Sequence, residues 1–232
     1  MINKTLFILN IFCCSFLHGI PMYFALASDT EFFSKAKRLI ESIKKSNGDS
    51  LVEIAFFDVG LTQNERDYLK KQDKVKLFDI ERTNQFITSQ FIVRLDGTKC
   101  ARGSFSWKPV VLKQCLDMYP YVFYLDSGMR VVGNFTDLFK IVINKGYFLV
   151  EAGHSMKGMV IKKVKKFFSI DDNSDFWNKK AIAAGIQGVS RLVYDSYVFP
   201  IYKMTSDITL FYTKSIVIYN NYKKINVRKF PS

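Results

Sequence analysis

The sequence predicts a single α/β domain of three layers, with helices on both faces of a mostly parallel central sheet. Three observations carry this prediction. An apolar stretch at residues 20–27 leads directly into a helix-start signal, a second such pair occupies residues 51–71, and the run Tyr121–Leu125 is apolar throughout. Alternating strands and helices are typical of α/β folds, and continuous apolar strands are typical of sheets that are covered on both faces.

Composition limits the classes of function. The 232 residues are 48% hydrophobic and 16% aromatic, which is enough for a large core that needs no disulfide bonds. The formal net charge of +13 is compatible with nucleic acid, acidic lipid or phosphorylated partners and does not choose among them. The chain has no C-x-x-C pair, which argues against a zinc site, and its two histidines are too few for a serine-triad hydrolase or an H-E-x-x-H protease, which are excluded.

Residues 1–19 are predicted to be a signal peptide or a signal anchor. A single charge, Lys4, precedes the apolar stretch Leu6–Leu17. The uncharged run Thr5–Ala27 is also long enough to cross a bilayer, so cleavage and retention as a membrane anchor both stay open. Either outcome places the protein in the secretory pathway or otherwise outside the cytoplasm, as a secreted, lumenal or membrane-anchored protein.

The folded domain is expected to span residues 20–232. Residues 20–27 have the pattern of a buried strand that ends at Ser28 and Asp29, so cleavage is expected before this strand. Ser28 and Glu31 fit a capping-box pair, and apolar residues then recur at helical spacing as far as Ile43.

The second strand–helix pair has a similar pattern. Leu51–Phe57 is predicted to be a strand that stops at Asp58–Thr62, and Thr62 with Glu65 fits another capping box that opens a helix to about Lys71. A short strand is expected at Val75–Ile80. Residues 81–104 have weak periodicity and are predicted to form a long loop with at most one edge strand.

Further elements follow in the same alternation. Ser106 is predicted to cap a helix with Pro109 in its first turn, where proline is tolerated. The strand Tyr121–Leu125 comes next, and Asn134 is predicted to start a helix that Gly146 ends. The final strand of this series is predicted to begin directly after that glycine, at Tyr147–Val150.

A lysine-rich helix is predicted at Lys157–Phe168. Its lysines lie opposite an apolar face. A helix packed on the core with a solvated lysine face is the commoner origin of this pattern, and a basic amphipathic helix lying on an acidic membrane is the alternative.

Polar residues at the ends of the predicted strands are the candidates for chemistry. Asp126 directly follows a buried strand, where a carboxylate is costly unless it is solvated, paired or bound to a ligand. It is a candidate ligand for a divalent cation, with Lys108 supplying a second positive charge for a diphosphate. The alternative is a turn-forming Asp126 and a surface lysine. Trp107 either stacks on a sugar or base or anchors the helix start.

Five segments in this order resemble the nucleotide-diphospho-sugar transferases with the GT-A (Rossmann-like) fold, particularly the glycogenin-like glycosyltransferase family 8 group and its less characterised relatives. The resemblance spans about residues 20–212. The segments are Ala27–Asp29, Asp58–Thr62, Phe105–Pro109, Tyr124–Gly128 and Ala183–Gly188, of which the last resembles a turn of the family that lines the donor sugar.

The resemblance implies an enzyme that transfers a hexosyl or related group from a nucleotide-diphosphate sugar to an acceptor hydroxyl, with retention of anomeric configuration. It implies Mn²⁺ or Mg²⁺ as cofactor, bound by Asp126, and no nucleic acid as partner. The implied catalytic residues are Asp126, Lys108 and Asp207, and the implied nucleotide-sugar contacts are Ala27, Ser28, Asp29, Asp58, Trp107, Lys108, Ala184, Gly185 and Gln187.

Three departures from the family pattern predict an incomplete metal site. Gly128 replaces the second acid of the Asp-x-Asp motif, a late motif keeps only Asp207, and no histidine follows His154. Two other functions therefore stay open. The first is a degenerate GT-A protein that binds sugars or partners without catalysis, and the second is a basic protein that binds membrane surfaces.

Overall fold

The computed structural model describes residues 19–89, 91–92, 99–100, 102–157, 160, 162–211, 217–220 and 223–226. The predicted signal segment, apart from Gly19, lies outside the described residues. Within the described ranges, none of the helices has the length and apolar character needed to cross a bilayer.

Strands and helices alternate through most of the chain. The strands are β1 (Met22–Asp29), β2 (Leu51–Gly60), β3 (Val75–Asp79), β4 (Phe91–Ile92), β5 (Lys99–Cys100), β6 (Tyr121–Leu125), β7 (Tyr147–Ser155), β8 (Lys180–Ser190), β9 (Val217–Asn220) and β10 (Lys223–Asn226). The α-helices are α1 (Phe33–Asn47), α2 (Gln63–Lys70), α3 (Trp107–Met118), α4 (Thr136–Lys145), α5 (Lys162–Phe167) and α6 (Phe199–Lys203).

The central sheet has six strands in the order β3-β2-β1-β6-β8-β7. Strands β3, β2, β1 and β6 are mutually parallel, and β8 runs antiparallel to both of its neighbours. The chain first builds outward from β1 to β3 and then returns to place β6 on the other side of β1. The strand order therefore reverses between β1 and β6, and ligands of open α/β sheets bind beside such a reversal, at the carboxyl ends of the strands.

Both faces of the sheet are covered, which confirms the predicted three-layer α/β class. Alternate residues of a strand point to opposite faces. Phe24 and Leu26 of β1 accordingly pack in the core under α1 and α4, whereas Ala25 and Ala27 pack in the core under α3 and α6. All four side chains are at most 3% exposed, and full burial of a phenylalanine contributes about 1.5–3 kcal/mol.

Of the two capping boxes predicted at helix starts, one is confirmed and one is wrong. The Thr62–Glu65 capping box is confirmed. The Ser28–Glu31 box is wrong, because Ser28 lies inside β1 and α1 begins only at Phe33; Asp29 instead accepts a hydrogen bond from Phe32 N. The strand continues past its apolar run because all of its residues up to Asp29 pair with β2.

Other boundaries differ from the prediction by a few residues. Asn134 forms a turn ahead of α4 by accepting a hydrogen bond from Thr136 N, and Gly146 ends the helix with a φ of 90°. The side chain of Ser106 does not cap α3 and donates to Gly103 O instead. The strand predicted at Tyr147–Val150 continues to Ser155 because it pairs with β8 along this length.

Two predictions of irregular or helical structure are wrong in detail. Within the stretch 81–104, β4 and β5 pair with each other and join β9 and β10 in a small antiparallel sheet. Among the described residues of the lysine-rich segment, α5 comprises six residues, and none of them is buried. These six residues therefore do not form the core-packed apolar face that the pattern indicates.

Candidate functional site

Hydrogen bonds join the carboxyl ends of β1 and β6 to each other and to β8. The Ser127 hydroxyl donates to Ala27 O at 2.7 Å, and the Asp126 amide donates to Gly185 O at 2.8 Å. Asp126 thus occupies a fixed position immediately after the buried strand Tyr121–Leu125. Its backbone is held by β8, and its side chain projects where the strand order reverses.

Lys108 and Asp126 form an ion pair at this position. Lys108 Nζ lies 2.7 Å from Asp126 Oδ1 and 2.8 Å from Oδ2, and its third neighbour is Ala184 O at 3.4 Å. The Lys108 side chain is 11% exposed and that of Asp126 37%, so the carboxylate is the more exposed partner of the pair. We call the surface around Lys108, Asp126 and Ala184 the strand-end site.

Tyr124 is a third member of this cluster. Its hydroxyl donates to Asp126 Oδ1 at 2.5 Å from a fully buried ring. Burial first, and then the charge and hydrogen bond of Asp126, raise the pKa of Tyr124 well above its usual value, so the hydroxyl stays protonated and remains a donor. The apolar run around Tyr124 indicates only a core position. Its spacing of two residues from Asp126, which places both side chains on one face, is the signal that finds it.

Aromatic rings surround the Lys108 ammonium. Nζ lies 4.9 Å from the ring centroid of Phe105, 5.6 Å from that of Tyr124 and 5.8 Å from that of Trp107. A ring face attracts a cation within about 6 Å, so these rings help to hold the charge in place. Trp107 is also buried, and its Nε1 donates to Arg102 O at 3.1 Å, as expected for the residue that anchors the start of the helix.

Strand β8 forms one wall of the strand-end site. Ala183–Gly188, predicted to be a turn, lies within this strand, which pairs with β6 through residues 186–190 and with β7 along its other edge. A Cβ at Gly185 would lie 3.2 Å from Asp126 Oδ2, so glycine leaves room for the carboxylate. Gln187 is buried and accepts a hydrogen bond from the Tyr197 hydroxyl, whose pKa burial raises to about 12.

A second ion pair lies at the ends of β1 and β2. Arg102 Nε lies 2.9 Å from Asp29 Oδ2, and Arg102 Nη1 donates to Thr88 O at 3.3 Å. A Cβ at Gly60, where φ is 145°, would lie 2.8 Å from the guanidinium carbon. Asp29 is thus paired at the place where the base and ribose are predicted. No local pattern identifies Arg102, because it lies in the weakly periodic stretch 81–104.

Asp58 has a structural environment. Its Oδ1 accepts hydrogen bonds from Gly60 N at 2.7 Å and from Leu61 N at 2.8 Å, which shapes the turn after β2. Arg66 Nη2 lies 2.5 Å from Oδ2, an ion-pair distance, although this buried oxygen receives no hydrogen bond of normal geometry. Its side chain is 2% exposed, so a ligand contact by Asp58 requires rearrangement of this turn.

The other residues that were predicted to bind the nucleotide sugar or to act in catalysis lie in different environments. Ser28 is buried and donates to the neighbouring Asp29 O, and Ala27 contributes its carbonyl to the Ser127 bond. Asp207 is exposed and accepts from Thr209 N at 2.9 Å in its own turn. None of the contacts among the described residues links Asp207 to Asp126.

The side chains of the strand-end site do not fit a divalent cation as they stand. Mg²⁺ and Mn²⁺ favour six mainly oxygen ligands. Both carboxylate oxygens of Asp126 already accept hydrogen bonds from Lys108 or Tyr124. Across the described ranges, no group of three or more His, Cys, Asp and Glu side chains is placed to hold a metal.

Comparisons with known proteins identify the fold. No family model matches the sequence, and no curated protein matches it. Core-mannan synthase A from Aspergillus fumigatus, in its Mn/GDP form, is similar with a TM-score of 0.53 and 9% identity over 82% of this chain and 65% of that chain. The mannosyltransferase Ktr4p from S. cerevisiae in complex with GDP has a TM-score of 0.52 and 10% identity over 84% and 64%.

A galactosyltransferase, LgtC, in complex with donor and acceptor sugar analogs, is less similar, with a TM-score of 0.49 and 14% identity over 81% of this chain. This chain spans 64% of the length of LgtC and 64% of that of Ktr4p, so it corresponds to slightly less than two thirds of these proteins. The six-stranded, mostly parallel sheet and the similarity to the structures of core-mannan synthase A and Ktr4p show that the chain has the GT-A glycosyltransferase fold.

Proposed function

We propose that the chain binds a nucleotide-diphosphate sugar at the strand-end site and transfers the sugar to an acceptor hydroxyl. The observation that carries the proposal is the ion pair between Lys108 and Asp126. It lies where the strand order reverses in a fold that this chain shares with a mannosyltransferase whose structure contains GDP.

The chemistry of the reaction calls for a positive charge at this position. The bond between the anomeric carbon and the diphosphate oxygen breaks, and a bond from the anomeric carbon to the acceptor oxygen forms. The electron pair of the broken bond leaves with the nucleoside diphosphate, and the acceptor proton passes to that leaving group or to solvent. A cation that is already in place where this negative charge develops lowers the barrier, and Lys108 is the cation of the strand-end site.

The parts of the donor are assigned to two regions, the strand-end site with β8 and the ends of β1 and β2. We place the diphosphate at Lys108, the sugar along Ala184 and Gly185 of β8, and the nucleoside toward Asp29 and Arg102 at the ends of β1 and β2. Retention of anomeric configuration and a hexosyl donor belong to this proposal on the resemblance described above. The proposal also includes a folded domain at residues 20–232 and a location in the secretory pathway or outside the cytoplasm.

A second candidate is a sugar-binding or interaction protein without catalysis. It is favoured by the saturated carboxylate of Asp126, which already accepts hydrogen bonds from Lys108 and Tyr124. Binding to membrane surfaces through the lysine-rich helix has less support. Lys165 is paired with Asp172 at 2.8 Å and lies 4.8 Å from the Trp177 ring centroid, so one lysine of this helix is already engaged within the protein.

The test is binding and turnover with the full chain. Calorimetry with GDP, UDP and their common sugar conjugates, in buffer with Mn²⁺ and in buffer with EDTA, measures binding; release of nucleoside diphosphate measures turnover. Asp126→Ala and Asp126→Asn are expected to lose turnover. Asp137→Ala is the matched control, because Asp137 forms an exposed ion pair with Lys140 on α4.

Three results of these measurements lead to different conclusions. Loss of turnover only in the Asp126 variants supports a transferase. Nucleotide-sugar binding without turnover in the wild-type chain supports the binding protein. Failure to bind any of the nucleotides under either condition contradicts both.

A further inference from the structure

We infer that the Lys108 ammonium occupies the place of a divalent cation, so that this chain binds the diphosphate of its donor without Mn²⁺ or Mg²⁺. The inference rests on the proposed function and makes it more specific. The resemblance, in contrast, predicts a bound cation at Asp126.

Asp126 has little capacity left for a metal ion. Its two oxygens lie 2.7 and 2.8 Å from Lys108 Nζ, and Oδ1 also accepts the Tyr124 hydroxyl at 2.5 Å. A cation bound to Asp126 would lie close to the Lys108 ammonium and would be repelled by its positive charge. It would bind only after Lys108 had been displaced, and no group of three or more His, Cys, Asp and Glu side chains among the described residues is placed to hold it.

Displacing Lys108 is costly because of its surroundings. The side chain is 11% exposed, and its ammonium lies within 5.8 Å of the ring centroids of Phe105, Trp107 and Tyr124. A buried ammonium that loses its carboxylate partner pays a large desolvation cost. The pair therefore holds Lys108 in one position, as a fixed positive charge.

Steric hindrance does not account for the missing second acid. A Cβ at Gly128 would meet no atom within 4 Å, and the backbone there is outside the region that favours glycine. The position has room for a carboxylate, yet the sequence has glycine. The contacts of Asp126 and the open space at Gly128 are thus both consistent with a site that uses an ammonium charge instead of a metal ion.

Lys108 also has a hydrogen bond to offer a phosphate oxygen. An ammonium group has three N–H donors. Two of them are used at short distance by Asp126, whereas the third lies 3.4 Å from Ala184 O, beyond the usual range of about 2.7–3.2 Å. A phosphate oxygen that replaces this long contact gains a charge-assisted hydrogen bond while the Asp126 pair stays in place.

The experiment measures GDP and UDP binding to the full chain by calorimetry, once in EDTA and once in excess Mn²⁺. Affinity is expected to agree within about twofold between the two buffers, which corresponds to about 0.4 kcal/mol. Lys108→Met is expected to weaken binding at least tenfold, and Lys108→Arg, which keeps the charge, is expected to retain more of it.

Two further variants separate this role from folding. Lys113→Met removes a lysine that also pairs with carboxylates, Glu81 and Asp117, but lies outside the strand-end site, and it is expected to bind nucleotides as the wild type does. If Lys108→Met does not fold, Lys108→Met with Asp126→Asn removes both charges and leaves no unpaired carboxylate. This double variant is expected to show the same loss of affinity.

Results that contradict only the inference differ from results that also contradict the proposed function. Binding that appears only with Mn²⁺, or Mn²⁺ binding to the wild-type chain that Asp126→Asn abolishes, overturns the inference and leaves the proposed function in place. Unchanged affinity in folded Lys108 variants also overturns it. Absence of nucleotide binding in both buffers overturns the proposed function, and the inference with it.

Discussion

Arg102 and Asp29 lie 73 residues apart in the sequence, and their side chains meet at 2.9 Å between Nε and Oδ2. The guanidinium lies against Gly60, so one side chain joins the ends of β1 and β2 to the segment that precedes α3. Three separate parts of the chain therefore depend on this contact, and it borders the region where we place the nucleoside.

Gly60→Ala tests this arrangement. The new methyl group would lie 2.8 Å from the Arg102 guanidinium, at a φ of 145° that L-residues rarely adopt, so we expect a loss of about 1–3 kcal/mol in the free energy of unfolding. Urea denaturation measures it. Gly153→Ala is the matched control, because its Cβ would meet nothing within 4 Å. Equal stabilities of the two variants would contradict the close approach of Arg102.

Tyr124→Phe tests the buried hydroxyl. Because the folded-state pKa of Tyr124 is raised, its contribution to stability is fully present below the unfolded pKa of about 10 and is lost as the pH rises toward the folded value. We expect the variant to lose less stability than the wild type between about pH 9 and pH 11. Unfolding by urea at these two pH values measures the difference. Identical losses in the two proteins would contradict the raised pKa.

The same variant probes the position of Asp126. Loss of the hydroxyl removes one hydrogen bond to Asp126 Oδ1, which contributes about 1.5–3 kcal/mol when the acceptor is charged. We therefore expect Tyr124→Phe to lower kcat more than it raises KM, because Asp126 is oriented less strictly. Steady-state kinetics with the active donor measure both constants, and a change in KM alone would contradict this role.

Glu65→Gln tests the capping box of α2. Burial acts to raise the pKa of Glu65, but the hydrogen bonds from Thr62 and Thr30, together with the charge of Lys37, outweigh it and lower the pKa below 4.5. The contribution of Glu65 to stability is therefore present above about pH 4.5 and is lost as the pH falls through the lowered folded value. Glutamine keeps the hydrogen-bonding pattern.

We expect Glu65→Gln to lose less stability than the wild type between about pH 5 and pH 3, because glutamine does not titrate. Thermal unfolding at these pH values measures the effect. Glu31→Gln, at an exposed position outside the box, is the control and is expected to follow the wild type. The same acid dependence in all three proteins would rule out a specific contribution of Glu65.

Gly128→Asp in a Lys108→Met background is expected to create metal binding, because Asp126 then has no lysine partner. It restores a second carboxylate two residues after Asp126, at a position where a Cβ meets no atom within 4 Å. Electron paramagnetic resonance of added Mn²⁺ should show bound metal in this variant and only free metal with the wild type. Gly133→Asp in the same Lys108→Met background, which also adds an acid in open space, is the control. Equal Mn²⁺ binding by both variants would show that the added charge alone attracts the cation.

Local sequence patterns were sufficient where neighbouring residues decide the structure. The apolar runs of β1, β2 and β6 and the capping box at Thr62 depend on burial and on hydrogen bonds within a few residues, so their predictions are confirmed. The Ser28–Glu31 box fails for a tertiary reason. Pairing of β1 with β2 extends to Asp29 and keeps Ser28 in the strand.

The sequence by itself determined the α/β class and, apart from β4 and β5, the order of the strands and helices up to β7. It also predicted Asp126 and Lys108 as site residues, because a carboxylate after a buried strand is costly unless it is solvated, paired or bound to a ligand. Only the tertiary structure decided that Lys108 pairs with Asp126, that Tyr124 also binds Asp126, and that Arg102 pairs with Asp29. These contacts join residues brought together by sheet order and by the antiparallel pairing of β8 with β6. Their free energy depends on distance in space, and no pattern along the chain records that distance.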